Sequence, residues 1–169
     1  LIVYLAKPLN PVMQIMGLVL LVPMAIGVYD HWSQGFSAAV GHPDVYGFVL
    51  AALLTSGLGS VAVRIYRGGR DLMGVREGLA IVAIGWVTLT FFSCLPMFVW
   101  LLYGQGVAQY SVFGTFTDAY FEIMSVFTTT GATILTNIEA APRSILFLRA
   151  LTHWLGGMGI ITLAIVVFP

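Results

Sequence analysis

Residues 128–133 read Thr-Thr-Thr-Gly-Ala-Thr, a run that can supply oxygen ligands to a cation. Backbone carbonyls that point inward around an axis can replace the water shell of a dehydrated cation. Gly131 lacks a Cβ and permits backbone angles that other residues resist, while threonines tolerate an extended backbone and add hydroxyl oxygens. These residue types predict one strand of an ion filter. Because Thr-Thr-Gly is a common tripeptide, the run alone favours another interpretation, a threonine-rich turn that ends a short amphipathic helix in a half-buried outer loop.

The residues around this run decide between the two interpretations. Residues 118–127 predict an apolar helix of about 15 Å, half the thickness of a bilayer, with Thr115 or Thr117 as its N-cap. Polar residues follow the run, namely Thr136, Asn137 and Glu139. Both ends of the half-helix then lie on one side of the membrane, which predicts a re-entrant loop. Non-helical backbone at that depth needs protein or a water-filled path beside it, and the partly negative C-terminal end of the half-helix favours a cation.

The composition indicates an integral membrane protein. The 169 residues have a mean hydropathy of +0.98, with 59% hydrophobic and only 8% charged residues, against roughly 25% charged in soluble domains. The net charge of zero gives no indication of a nucleic-acid partner. Cys94 is the single cysteine, so no disulfide or multi-cysteine metal site can form within the chain. We expect the chain, which begins at Leu1 and ends at Pro169, to be part of a longer protein.

Four stretches are long enough to span a membrane as helices, at about 11–28, 45–63, 78–103 and 145–168. Pro23 and Pro96 lie inside two of these stretches and are expected to kink or end their helices. Arginines concentrate between the second and third stretches, at Arg64, Arg67, Arg70 and Arg76. Because basic loops stay in the cytoplasm, we expect a cytoplasmic N-terminus and an outward orientation for residues 30–44 and 104–143.

Several strings of residues resemble the Trk/Ktr/HKT superfamily of K⁺ transporters, and within it the TrkH/TrkG-type subunits. Besides the run at 128–133, they are Arg-Glu-Gly at 76–78, Thr-Asp-Ala-Tyr-Phe-Glu at 117–122, Ile-Leu-Phe-Leu-Arg at 145–149 and Trp-Leu-Gly-Gly-Met-Gly-Ile-Ile at 154–161. The resemblance is strong from about residue 76 onward. It implies an all-α integral membrane fold: an N-terminal two-helix hairpin with a basic cytoplasmic loop at 1–75, then one helix–re-entrant pore loop–helix repeat at 76–169.

The resemblance implies K⁺ uptake across the bacterial cytoplasmic (inner) membrane rather than enzymatic activity. Filter carbonyls coordinate the ion in that family, which here corresponds to K⁺ at Thr129, Thr130 and Gly131, with flanking contributions from Thr128 and Ala132. Four such repeats in one polypeptide surround the pore, and three of them are not in this sequence. The family also implies a homodimer in membrane lipid and a cytosolic nucleotide-binding regulatory subunit, TrkA, with no cofactor besides the transported K⁺.

Charged side chains near the pore loop have two open interpretations. Asp118 and Glu122 share one face of the pore helix and either raise the cation concentration at the pore mouth or cap the helix and pair with Arg143 or Arg149. Arg149 either supports the pore helix and its carboxylates or extends its charge to the membrane interface. The sequence shows no metal-ligand spacing among the remaining candidate ligands, His31, His42, His153 and Cys94.

Two other functions remain open on the residues alone. In a tetrameric K⁺ channel, four copies of the chain would each supply one filter strand, but such channels carry Gly-Tyr-Gly where this sequence has one glycine. A membrane enzyme or a non-conducting assembly protein is the other alternative, and no nucleophile–base pair supports an enzyme. A gene with three more glycine-centred pore loops would favour the transporter.

Overall fold

A computed structural model describes residues 2–65, 75–103, 112–139 and 141–167 of the chain. Within these ranges the regular structure is helical, with no strand, as expected for an all-α membrane protein. The α-helices are α1 (Ile2–Val19), α2 (Leu21–His31), α3 (Phe36–Gly41), α4 (Pro43–Ile65), α5 (Val75–Ser93), α6 (Leu95–Tyr103), α7 (Val112–Phe127) and α8 (Arg143–Val167), with one 3₁₀ turn at Trp32–Gln34. Of the sequence predictions, Arg67, Arg70, residues 104–111 and Pro169 lie outside the described residues.

Four helical segments of the described chain are long and apolar enough to cross a membrane: Asn10–His31, Pro43–Val61, Gly78–Tyr103 and Arg143–Ile161. They coincide with the four predicted spans to within a few residues at most ends. Large apolar side chains cover the outside of the bundle, and Leu18, Leu53 and Ile161 are 63–69% exposed. Exposure of this apolar surface to water would be unfavourable, whereas lipid tails solvate it. The prediction of an all-α integral membrane fold is confirmed.

Prolines explain why two of the spans are each divided into two helices. The first span breaks at Leu20, between α1 and α2, and the third breaks at Cys94, between α5 and α6. Pro23 and Pro96 have no N–H to bond the carbonyl four residues earlier, and their rings crowd that carbonyl. Hydrogen bonds continue across both breaks, from Leu20 N to Met16 O at 3.0 Å and from Cys94 N to Thr90 O at 2.9 Å. The predicted interruptions are therefore present, and each pair of helices still forms one continuous span.

The N-terminal hairpin packs directly on the pore repeat. Helix α4 lies against α1 on one side and α6 on the other, and α2 contacts α8. A Cβ at Gly47 would lie 2.7 Å from the Cα of Pro96, so only glycine permits this approach of α4 to α6. One buried apolar cluster joins all of these helices and includes Leu20, Phe48, Met97 and Ile145. Position 75/76 as a domain boundary remains a prediction, since the two parts share this core.

The pore helix α7 is longer than predicted. It spans Val112–Phe127, which is 16 residues and about 24 Å, instead of residues 118–127 and about 15 Å. Thr115 and Thr117 therefore lie inside the helix, and the prediction that either one caps it is wrong. Ala119, Ile123 and Val126 lie on one stripe of α7 and are buried in the common core. Packing against α5, α6 and α8 fixes the axis of this helix, and hence the position where it ends.

Candidate functional site

The threonine run leaves the pore helix with its N–H groups turned back toward the helix end. Thr129 N donates to Val126 O at 3.1 Å, Thr130 N donates to Ser125 O at 2.9 Å, and Gly131 N reaches the same Ser125 oxygen at 3.3 Å. The last carbonyls of a helix have no partner within the helix itself. Here the filter strand satisfies them, and in doing so it fixes the strand's orientation.

The direction of the carbonyls follows from these bonds. No cis peptide occurs in the described residues, and in a trans peptide the N–H and the preceding C=O point in opposite directions. Because the N–H groups of Thr129, Thr130 and Gly131 face the pore helix, the carbonyl oxygens of Thr128, Thr129 and Thr130 face away from it. Three successive oxygens therefore point toward the side of the strand that the helix does not cover.

Two left-handed residues make this parallel arrangement possible. Thr129 has φ = 57° and Gly131 has φ = 75°, and they flank Thr130. Gly131 adopts such a φ without strain, but a β-branched threonine does so at a cost of about 1–3 kcal/mol. In the described part of the chain, Thr129 is the one non-glycine residue with positive φ. The expectation that the threonines take an extended backbone is therefore wrong at Thr129.

Two hydroxyl groups fasten the ends of the strand to the pore helix. Thr128 Oγ1 donates to Met124 O at 2.9 Å, which uses this hydroxyl on the helix end. Ser125 Oγ donates to Ala132 O at 2.7 Å. The Ala132 carbonyl thus points toward the pore helix, opposite to the carbonyls of Thr128 and Thr130. Ala132 is thus a predicted filter residue whose carbonyl oxygen is bonded to protein.

Glu122 anchors the part of the loop that follows the filter. Its side chain is fully buried, and its two carboxylate oxygens accept hydrogen bonds from Thr133 Oγ1 at 2.8 Å and from Ile134 N at 2.9 Å. Arg149 on α8 pairs with the same carboxylate, with Nη2 2.5 Å from Oε1. The Glu122–Arg149 pair thereby joins the pore helix, α8 and the segment after the filter at Thr133 and Ile134. The burial and these bonds hold the Glu122 carboxylate against Thr133 and Ile134, and its predicted part at the pore mouth remains a prediction.

Arg149 is held in the interior by this pair and does not extend to the membrane interface. Its side chain is 14% exposed. Its Nε is buried and has no hydrogen-bond partner among the described residues, so Glu122 provides the main compensation for its charge. This contact is the one expected if Arg149 supports the pore helix, and that role remains a prediction. A neutralised pair behind the strand leaves no net charge there to compete with the carbonyl row.

Small residues on α8 allow this helix to approach the end of the pore helix. A Cβ at Gly156 would lie 2.0 Å from Phe127 O, which is impossible without displacing the helix end. At the neighbouring Gly157 the nearest atom to such a Cβ is Thr129 Cγ2, at an ordinary 3.8 Å. Gly156 is thus the position where α8 supports the start of the filter strand.

The remaining predicted side chains are placed as follows. Asp118 is half-buried one turn before Glu122, and no ion pair within the described ranges includes it, so its predicted role at the mouth remains a prediction. Arg143 pairs with Asp30 of α2 at 3.0 Å and not with the pore helix. His153 is exposed on α8.

The sequence analysis missed one polar cluster, which contains two of the four residues, His31 and His42, for which it found no metal-ligand spacing. His31, His42 and Asp44 lie together with their ligand atoms within 4.8 Å of one another. Only the spacing of His42 and Asp44, two residues apart at the start of α4, was a local signal. The contribution of His31, from the end of α2, depends on the packing of α2 against α4.

The comparison with protein families identifies the pore repeat. A family described as "TrkH: Cation transport protein" matches residues 70–169, more than half of the chain. The chain belongs to the TrkH family. No solved structure matches it. The family match includes α5, the pore helix, the filter strand and α8, which are the elements that build the candidate site.

Individual relatives of this TrkH-family chain carry consistent names. A "Trk system potassium uptake protein TrkH" of Halomonas elongata is 39% identical over 72% of the chain and 23% of the relative. The TrkH protein of Escherichia coli K12 is 42% identical over 56% of the chain and 18% of the relative. An uncharacterised cation transporter of Methanocaldococcus jannaschii is 28% identical over 94% of the chain and 29% of the relative. The chain therefore spans less than a third of the length of these relatives.

Proposed function

We propose that residues 128–131 form one wall of a K⁺-selective filter, and that the protein takes up K⁺ across a membrane. The observation that carries this proposal is the row of carbonyl oxygens of Thr128, Thr129 and Thr130, which point away from the pore helix because the following N–H groups bond back to it. Carbonyl oxygens in this arrangement replace the water ligands of a dehydrated cation. The Gly131 carbonyl, which follows this row directly in the chain, is included in the proposed filter.

The charges around the strand favour a monovalent ion. Divalent Ca²⁺ and Mg²⁺ bind where carboxylates contribute net negative charge. Here the nearest buried carboxylate, Glu122, faces the back of the strand and is paired with Arg149. The ligands offered on the open side are neutral dipoles, assisted by the partly negative C-terminal end of the pore helix. The curated relatives named as potassium uptake proteins support K⁺ as the monovalent ion.

The assembly around this wall is also part of the proposal. Because the chain spans less than a third of its relatives, we propose that further repeats of a longer polypeptide supply the other walls. The resemblance to the Trk superfamily supports a homodimer in the bacterial inner membrane, a cytoplasmic N-terminus and a TrkA-like nucleotide-binding regulatory subunit. These features would place the mouth of the filter on the outside.

The proposal is tested with Gly131→Ser in the full-length protein, reconstituted in liposomes and assayed for K⁺ and Na⁺ flux. No atom lies within 4 Å of a Cβ at this position, so the substitution adds no clash. It does force a side chain into the left-handed region at a cost of about 1–2 kcal/mol. Relief of this strain would displace the carbonyls on either side of residue 131, so we expect the K⁺/Na⁺ flux ratio to fall.

Gly35→Ser is the matched control, because Gly35 has φ = 94° and no atom within 4 Å of a Cβ but lies in the loop after α2. With ψ = 149° as well, serine at this position should carry at least as much backbone strain and leave the flux ratio unchanged. An unchanged ratio in Gly131→Ser, with flux intact, would show that residues 128–131 are not the filter. A wild-type protein that passes neither K⁺ nor Rb⁺ would refute the transport function itself.

A further inference from the structure

A cluster of polar side chains lies away from the candidate filter, where α2 ends and α4 and α8 begin. Asp44 is only 1% exposed, yet several polar groups converge on its carboxylate. His31 Nε2 lies 3.2 Å and His42 Nδ1 2.5 Å from Oδ1, and Ser144 Oγ donates to Oδ2 at 3.1 Å. The two imidazole rings stack with their centroids 3.8 Å apart. Three separate segments of the chain thus bring two histidines to one buried carboxylate.

The donor set and its spacing fit a transition-metal ion. Zn²⁺ binds histidine nitrogen and carboxylate oxygen at about 2.0–2.2 Å in a tetrahedral arrangement, which puts neighbouring ligand atoms roughly 3.3 Å apart. The 3.2 Å between His31 Nε2 and Asp44 Oδ1 already has this length. Both side chains are largely buried, at 20% and 2% exposed, so two of the ligands are held in place by the fold.

The imidazole ring of His42, the third ligand, has to rotate in order to complete the site. The distance from His42 Nδ1 to Asp44 Oδ1 is too short to admit an ion between them, since both imidazole nitrogens are directed at this one oxygen. The His42 side chain is 42% exposed and lies in the turn between α3 and α4. Its ring can therefore rotate toward solvent without displacing core atoms. Each ligating nitrogen must then carry no proton, with the proton on the other ring nitrogen.

The surroundings supply the remaining requirements of such a site. Ser144 holds the second carboxylate oxygen, as the outer hydrogen-bond partners of metal ligands do. The nearby positive charge of Arg143 is paired with Asp30 at 3.0 Å and so opposes a bound cation less. The exposed side of His42 leaves a fourth position for water. A Cβ at Gly27 would meet Val45 and Ser144 at 2.9 and 3.3 Å, so α2 packs closely enough to keep His31 within reach.

We propose that His31, His42 and Asp44 bind a Zn²⁺-type divalent transition-metal ion, coordinated by two imidazole nitrogens, one carboxylate oxygen and water. The ion joins the end of α2 to the start of α4 and, through Ser144, to the first turn of α8. It thereby fixes the N-terminal hairpin on the pore repeat. Nothing in this proposal depends on which ion passes through the filter.

The test is a titration of the purified full-length protein, first stripped with a chelator, with Co²⁺ alone. Tetrahedral coordination gives Co²⁺ a strong visible absorption, and Zn²⁺ should then remove it by displacement. We expect the wild type to bind one ion per protomer. The variants His42→Ala and His31→Gln should lose this ion. Ser144→Ala should keep the stoichiometry but bind roughly 10–100-fold more weakly, as for outer-shell partners elsewhere.

His153→Ala is the matched control, because His153 is an exposed histidine on α8 outside the cluster. It should bind as much Co²⁺ as the wild type. Zn²⁺ should also raise the melting temperature of the wild type and of His153→Ala, but not that of His42→Ala, because an ion that binds only the folded state stabilises it. Equal metal content in the wild type, His42→Ala and His31→Gln would overturn the proposal, as would a wild type that binds no metal. Melting of the metal-free variants reports whether each has folded.

Discussion

Replacement of Glu122 by Gln tests whether the buried charge pair holds the filter strand in place. Glutamine has nearly the same shape but carries no charge, so the variant retains the packing of the pore helix. It leaves Arg149, whose side chain is only 14% exposed, without an anionic partner. It also weakens the two hydrogen bonds through which Thr133 and Ile134 hold the returning strand.

The magnitude follows from these contacts. Hydrogen bonds to a charged group contribute about 1.5–3 kcal/mol, against about 0.5–1.5 kcal/mol for neutral ones, so each of the three bonds to Glu122 loses roughly 1 kcal/mol. Breaking a buried ion pair by removal of one partner costs about 3–5 kcal/mol in measured cases. We therefore expect Glu122→Gln to lower the free energy of unfolding by about 3 kcal/mol.

The assay is SDS titration of the full-length protein in mixed micelles, together with K⁺ and Na⁺ flux in liposomes. The control is Glu139→Gln, the same chemical change at an exposed position, which should stay within about 0.5 kcal/mol of the wild type. Because the strand loses its anchor, Glu122→Gln should also lower the K⁺/Na⁺ flux ratio. The double variant Glu122→Gln/Arg149→Met removes the unpaired charge and should be more stable than the sum of the two single effects by about 1–3 kcal/mol.

Two results would refute this reasoning. If Glu122→Gln is as stable as Glu139→Gln, the pair contributes nothing to the fold. If the effects of Glu122→Gln and Arg149→Met simply add, the two side chains act independently, contrary to their 2.5 Å contact.

Two further predictions concern groups that hold the pore helix and the strand together. Gly156→Ala should reduce the amount of folded protein and destabilise what remains by at least about 1–3 kcal/mol, because its Cβ would lie 2.0 Å from Phe127 O. Gly157→Ala should be tolerated, and equal expression and melting of the two variants would contradict this contact. Ser125→Ala removes the 2.7 Å bond to Ala132 O, so it should cost about 1 kcal/mol of stability and lower the K⁺/Na⁺ flux ratio. The control Ser93→Ala removes a buried hydroxyl with no partner among the described residues and should be neutral or stabilising. SDS titrations in which both serine variants behave alike would be evidence against the role of Ser125.

The membrane spans were predictable from the sequence because their signal is local. Lipid requires about 20 consecutive apolar residues, and this requirement can be read without knowledge of the packing. The prolines likewise act on their own helices, so the interruptions near Pro23 and Pro96 were predictable, although not their centres at Leu20 and Cys94. The start of the pore helix was missed because the sequence analysis placed the N-cap at Thr115 or Thr117, although Ser111, also a preferred N-cap residue type, directly precedes Val112.

The position of the proposed filter could be predicted from the sequence, but its backbone conformation could not. The run at 128–133 and the helix before it marked the place. The left-handed angle of Thr129 was not predictable, because β-branched residues avoid positive φ and only the bonds to the pore-helix carbonyls hold it there. The role of Ser125 depends on its position opposite Ala132, seven residues further along, which no periodicity indicates.

The partners of the charged side chains could not be predicted either, because they lie far apart in the sequence. Arg149 had Glu122 among several possible partners, and only the packing of α7 on α8 selects it. His31 and Asp44 are thirteen residues apart, with a 3₁₀ turn and a short helix between them. No spacing rule for metal ligands covers such a connection, so this cluster became visible only in three dimensions.

The central claim, that the carbonyls of Thr128, Thr129 and Thr130 coordinate the transported ion, is tested most directly by anomalous diffraction from Rb⁺-soaked crystals of the full-length protein. Rb⁺ substitutes for K⁺ and scatters anomalously. We predict Rb⁺ peaks on the pore axis beside these three carbonyls, and their loss when Na⁺ replaces Rb⁺. Rb⁺ bound elsewhere, with the three oxygens turned into the protein, would contradict the account.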